Sequence, residues 1–193
     1  MGFGGSCFKK DILNLVYICK TYGLDEVADY WESVLKINDY QQERFILNIL
    51  NSMFNTLSGK KICILGFAFK ANTGDTRESP AIKITRRLLE EQAEVVVSDP
   101  RAMENAALAL EGDAAKVSFI EDPYKAAEDC HAIVVLTEWE LYKGLDFKKI
   151  YESMAKPAFL FDGRNIVDHK ACFEIGFNVF PIGKPALNNF GKP

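Results

Sequence analysis

A chain of 193 residues that is 48% hydrophobic and 26% charged, with a net charge of -4, is long enough to bury a core. Its mild acidity gives no electrostatic reason to expect nucleic acid or an anionic membrane as partner, and no apolar run is long enough to span a bilayer. The five cysteines are odd in number and lack paired metal spacing, which points to reduced thiols in the cytoplasm and to no metal site.

The amino terminus, Gly-rich and then amphipathic, lacks the pattern of a secretory leader. It runs at once into Gly4-Gly5-Ser6-Cys7, so the chain is expected to be a segment of a longer protein. Residues 7–22 have helical periodicity, with Ile12, Leu15, Val16 and Cys19 on one face, Ser6 as N-cap and Gly23 as stop. Residues 25–57 are again helical through Val27, Trp31, Val34, Phe45, Ile49 and Met53, with a break allowed at Asn38-Asp39. Apolar residues on more than one face of so long a helix call for a partner: a second copy, a further domain, or its own hairpin.

The pattern changes at Ser58-Gly59. Short apolar strands are predicted at 61–65, 94–98, 117–120, 132–136, 158–161 and 177–181. Helices are predicted from Pro80 to Glu91, around 102–110, over 123–129 and over 146–154, and the last dozen residues read as a tail. Strands alternating with helices give the expected fold class: α/β, a helical segment (1–58) followed by a Rossmann-like doubly wound parallel sheet (59–193).

Three constellations carry chemistry. In Gly4-Gly5-Ser6-Cys7-Phe8-Lys9-Lys10-Asp11, Cys7 lies in the first turn of a helix, where unpaired amides and the helix dipole favour the thiolate that attacks a carbonyl. Asp11, one turn on, is placed to hold or activate a water. The competing reading is a buried structural cysteine beside a solvated Lys-Lys-Asp run. Second, Gly66-Phe67-Ala68-Phe69-Lys70 and the segment 74–80 leave a strand and enter a helix at Ser79, a place for phosphate, with Lys70 as a point charge. The G-x-G-x-x-G fingerprint is absent. Arg77 is read either as a ligand contact or as the partner of a surface acid, and Asp99 as the acid of an Asp-Pro turn rather than a ribose contact. Third, Arg164 in Phe161-Asp162-Gly163-Arg164 follows a strand and is placed to reach a base or phosphate. Trp139 is assigned to the core, and His131 and His169 to structural roles.

These motifs, with Thr137-Glu138-Trp139, resemble in order and spacing the UDP-glucose 6-dehydrogenases of the UDP-glucose/GDP-mannose dehydrogenase family, nearer the animal type than the bacterial type. The resemblance implies oxidation of UDP-glucose to UDP-glucuronate with NAD as cofactor, through a thiohemiacetal and a thioester on Cys7. It makes Cys7 and Asp11 catalytic and puts Phe3, Gly4, Phe8, Phe69, Lys70 and Arg164 against the UDP-sugar. It also places Cys7 and Arg77 against NAD, and assigns residues 1–58 to a homodimer or higher homo-oligomer interface. The family's NAD-binding domain has no counterpart in these residues, so the chain alone is expected to be inactive. A nucleotide-sugar-binding or dimerisation module with a structural cysteine, and a dehydrogenase of another nucleotide sugar such as GDP-mannose, are the alternatives.

Overall fold

The computed structural model describes residues 1–188. Two helices lead. The first, α1 (Ser6–Thr21), ends as its glycine requires: Gly23 takes φ 69°, Leu24 N–H reaches Cys19 O at 2.9 Å and Gly23 N–H reaches Lys20 O at 3.1 Å. The second, α2 (Asp25–Ser52), runs unbroken for 28 residues. The break allowed at Asn38-Asp39 does not occur, because the Asn38 amide bonds a distant peptide instead of competing for its own backbone.

Six strands follow: β1 (Lys61–Leu65), β2 (Glu94–Ser98), β3 (Val117–Phe119), β4 (Ala132–Val135), β5 (Phe159–Asp162) and β6 (Asn178–Pro181). They form one parallel sheet in the order β3-β2-β1-β4-β5-β6, so the order reverses between β1 and β4. The expected α/β class and the strand positions hold. Helices α3 (Pro80–Glu90), α4 (Met103–Leu110), α5 (Pro123–Ala127) and α7 (Phe147–Ser153) lie where the pattern puts them. Two short helices, α6 (Glu140–Lys143) and α8 (His169–Ile175), carry too few turns for a periodicity signal. The expected tail is in part ordered: Leu187 pairs with Val179 through two backbone bonds, and residues 189–193 lie outside the described residues.

Alternate strand residues feed opposite faces. Ile62 and Ile64 join α3, the second half of α2 (Phe45, Ile46, Ile49) and Met53 just after it in one core. Cys63 and Leu65 join Tyr142, Ile150 and Phe177 in the other. The first half of α2 instead shares a small cluster with α1, made by Ile12, Val16, Cys19 and Ala28. One helix therefore ties the α1 hairpin rigidly to the sheet.

Two buried carboxylates organise the carboxyl edge. Asp99, after β2, accepts from Phe67 N–H (2.7 Å), Ala68 N–H (3.0 Å), Arg101 N–H and Ala102 N–H (both 2.8 Å) and Trp139 Nε1 (3.1 Å). The turn reading of Asp99 holds, and the same carboxylate also ties down the loop after β1. Asp162, at the end of β5, accepts from Arg164, Ile166 and Val167 N–H and lies 2.9 Å from His169 Nε2. Trp139 is in the core as assigned, with its N–H satisfied. His131 Nδ1 accepts from Lys61 N–H at 3.1 Å, and both histidines serve the frame. Replacing Asp99 with Asn turns half of this acceptor into a donor, and we expect a loss of about 2–4 kcal/mol of stability with unchanged cooperativity, read by urea unfolding.

Candidate functional site

Cys7 is the second residue of α1 and is exposed, whereas Cys19, Cys63, Cys130 and Cys172 are buried. That disposes of the buried structural cysteine. The N-cap is Gly5 rather than Ser6, with φ 87° and ψ 144°, a conformation open to glycine and strained for other residues. The reason for two glycines is crowding. A Cβ on Gly4 would stand 2.5 Å from Glu78 O and 2.9 Å from Pro80 Cδ; one on Gly5 would stand 2.8 Å from the Phe69 ring. No side chain caps the helix, so the amides of its first turn point toward the thiol's end of the molecule. Asp11 is exposed one turn further on.

The wall facing this turn is the long loop 66–80. Gly5 N–H donates to Arg77 O at 3.1 Å, and Lys9 pairs with Glu78 at 2.7 Å, so the loop and α1 are joined on both sides of Cys7. Arg77 is locked onto Asp75 through Nε and a terminal nitrogen (2.7 Å). The Asp75 hydrogen bonds and charge raise the Arg77 guanidinium above its ordinary value, the Cys7 sulfur adds to the rise, and Asp75 is lowered in return. Arg77 thus pairs with an acid two residues away, at a position beside the thiol. Lys70 is exposed, with its ammonium 5.4 Å from the Phe69 ring centre. The Phe3 and Phe8 rings lie 4.6 Å apart between centroids, tilted by 60° to each other. Phe3, Gly4, Cys7, Phe8, Asp11, Phe69, Lys70 and Arg77 are therefore gathered around one seam between α1 and the sheet loop.

Arg164 is placed differently from the reading as a donor to an outside ligand. Its Nε donates to Leu136 O at 2.8 Å, a terminal nitrogen donates to Phe69 O at 3.2 Å, and Glu138 lies 3.3 Å away. Burial lowers its guanidinium below the ordinary arginine value, against the opposing charge of Glu138. In this structure it braces the Phe69 loop from behind. Glu138, given no role of its own within Thr137-Glu138-Trp139, accepts from Ala71 N–H at 3.3 Å as well as pairing with Arg164. Asn38 also joins the site; the sequence marks it only as a weak point of the helix, since its partner is 35 residues away.

A dinucleotide in a sheet of this order normally rests where the strand order reverses, with its pyrophosphate on the helix after β1. Here the chain itself fills that place. Phe67 and Ala68 are buried and bonded to Asp99, Thr137 Oγ1 donates to Ala68 O at 2.6 Å, and Gly4 covers the start of α3, where Ser79 Oγ accepts from Ala81 N–H. The residues of this sheet do not fit NAD in that pose. No group of three or more His, Cys, Asp or Glu with metal-binding geometry occurs among the described residues, and none of their helices is long and apolar enough to cross a membrane.

Iodoacetamide on the native chain should label one thiol, Cys7, with the other four reacting only after unfolding. Burial pushes Cys130 and Cys172 up to about 12 and Cys63 higher than its ordinary value, so those thiols stay protonated throughout the neutral range. Mapping the labelled peptide by mass spectrometry checks this. Gly5→Ala should cost about 1–3 kcal/mol and displace α1 from the Phe69 ring, which thermal unfolding and the Cys7 labelling rate will both register.

Residues 63–169 match the UDP binding domain of the UDP-glucose/GDP-mannose dehydrogenase family, and residues 1–40 match that family's central domain. The chain is 50% identical to UDP-glucose 6-dehydrogenase 1 of Arabidopsis thaliana in an alignment of 204 positions that covers 96% of this chain and 42% of that protein. It is 51% identical to UDP-glucose 6-dehydrogenase 1 of Glycine max over 96% of itself and 42% of the relative. It thus spans less than half the length of the curated relatives it matches. Among solved structures, a UDP-glucose dehydrogenase from Pyrobaculum islandicum aligns with TM-score 0.74 and 34% identity, covering 93% of this chain and 37% of that one. An NDP-N-acetyl-D-galactosaminuronic acid dehydrogenase from Methanosarcina mazei Go1 shares the fold at TM-score 0.77 and 24% identity, over 95% and 38%. With both domains matched and about half of the residues identical to such relatives over nearly the whole chain, the chain belongs to the UDP-glucose/GDP-mannose dehydrogenase family.

Proposed function

We propose that this chain supplies the thiol and the UDP-sugar-binding portion of a cytoplasmic UDP-glucose 6-dehydrogenase that forms UDP-glucuronate. The observation that supports it most is the exposed Cys7 in the uncapped first turn of α1, pressed against the loop of a domain matched as UDP-binding. The roles follow from placement. The Cys7 thiolate adds to the carbonyl carbon of the C6 aldehyde; the S–C bond forms and the π pair moves to oxygen, where it is protonated. Once oxidation has made the thioester, the oxygen of a water adds to its carbonyl, the C–S bond breaks and the thiolate returns. Asp11, exposed one turn from Cys7, takes the proton of that water. Alcohol to carboxylate removes four electrons, which two NAD molecules accept as hydride. We assign NAD to the portion of the relatives that this chain does not span, because its own sheet has no room at the usual position, and we expect no turnover from the chain alone. Arg77, exposed beside Cys7, is the residue we assign to contact it from this side.

Lys70, exposed, is assigned to the UDP phosphates, with Phe3, Gly4, Phe8 and Phe69 shaping the sugar's place. Arg164 serves the same ligand through the Phe69 loop that it braces. Residues 1–58 are assigned to self-association: Leu13, Tyr17, Tyr22, Val27, Tyr30 and Ile37 leave a broad apolar and aromatic surface exposed on the two leading helices.

Calorimetry with UDP-glucose, UDP and GDP-mannose tests the substrate. UDP-glucose and UDP should bind and GDP-mannose should not; a preference for GDP-mannose would replace the substrate while leaving the thiol chemistry in place. Lys70→Ala should weaken binding with little change in melting temperature, whereas Arg164→Ala should lower both, since it also frees Leu136 O and Phe69 O. Sedimentation equilibrium should give a dimer or larger species that dissociates in Tyr17→Asp/Tyr30→Asp; a monomer at all concentrations would refute the interface.

A further inference from the structure

We infer that Asn38 is a positioning residue for Cys7, an amide clamp in the middle of α2 that sets the start of the thiol-bearing helix. Asn38 Oδ1 accepts from Phe3 N–H at 2.7 Å, and Asn38 Nδ2 donates to Phe3 O at 3.1 Å, so both polar groups of one residue are held by one side chain. The fit is close. A Cβ on Gly2, whose φ is 95°, would stand 2.5 Å from that same Oδ1, so the residue before Phe3 has room for the clamp only as glycine. Two residues later, Gly5 N–H is fixed to Arg77 O at 3.1 Å. The segment from Gly2 to Gly5 is thus pinned by α2 at one end and by the sheet loop at the other, and Cys7 follows it directly. Phe3, the clamped residue, carries its ring against Phe8, the neighbour of Cys7.

This placement accounts for an asparagine in the interior of a 28-residue helix, where its propensity is poor and where its amide makes no bond to its own backbone. The clamp comes from the rigid middle of α2, between its α1-facing half and its sheet-facing half, so it refers the thiol loop to both. The proposal rests on the reading of Cys7 as the nucleophile; the clamp geometry itself does not.

The experiment compares the chain with Asn38→Ala, Asn38→Asp and a same-helix control, Lys36→Ala, whose side chain is exposed. Two readouts are taken: amide hydrogen exchange at Phe3, and the pH profile of Cys7 alkylation by iodoacetamide. We expect Phe3 exchange to accelerate about tenfold in Asn38→Ala, as loss of two ordinary hydrogen bonds predicts. Cys7 alkylation should change on the order of fivefold with a displaced pH profile, as expected when a reactive group loses its fixed geometry. Lys36→Ala should match the parent in both. Asn38→Asp keeps an acceptor for Phe3 N–H and sets an oxygen against Phe3 O, so it should fall between; it carries the comparison if the alanine variant does not fold. Unchanged Cys7 alkylation in a folded Asn38 variant, or unchanged Phe3 exchange, would overturn the proposal. A parent chain whose Cys7 reacts no faster than a free thiol would count against the nucleophile and leave the Phe3 exchange to judge the clamp.

Discussion

The Asp99 carboxylate is fully buried at the end of β2, and five N–H groups converge on it. Two belong to the turn that follows it, two to the start of the loop after β1, and one to Trp139 after β4. A buried carboxylate is tolerated only when its lone pairs are filled in this way. The consequence is that three strand ends are drawn to one point, and the loop 66–80 leaves the sheet along a fixed path. Everything at the seam depends on that path: Phe69 meets Gly5, Glu78 meets Gly4 and Lys9, and Arg77 O receives Gly5 N–H.

The same interactions explain why a Rossmann-like sheet here does not present a dinucleotide site of the usual kind. Amides that elsewhere face a pyrophosphate are turned inward to Asp99, and the start of α3 is closed by Ser79 and covered by Gly4. In the proposed function the ligand-facing surface is displaced outward, to the seam between the loop and α1. Arg164 and Glu138 support this displaced surface from the β4 and β5 side, while Asn38 supports it from α2.

Much of the frame was legible. Strands such as Lys61–Leu65 and Ala132–Val135 are short β-branched apolar runs buried on both faces, and the Ser79-Pro80 and Gly23 signals act through local geometry that a few residues encode. The cluster around Cys7 was legible because its residues come in compact motifs. Side-chain preference favours Ser6 as the cap, but crowding by Phe69 demands a glycine, and Gly5 takes that place. Local propensity allows a break at Asn38, whereas a partner 35 residues away keeps the helix continuous there. Arg164 was read outward because the sequence records its strand-end position but not the carbonyls of Leu136 and Phe69 that hold it.

By itself, then, the sequence determined the alternation of elements, the parallel sheet and the presence of a thiol at a helix start, since periodicity and capping are written within a few residues of each other. Only the tertiary structure decided that Cys7 is exposed while four other cysteines are buried, that the Asp99 carboxylate is filled inside the protein, that Arg164 bonds the Leu136 and Phe69 carbonyls, and that Asn38 reaches Phe3. Those outcomes depend on which groups distant in the chain arrive at the same place, and on which of them a buried charge or an orphaned peptide needs most.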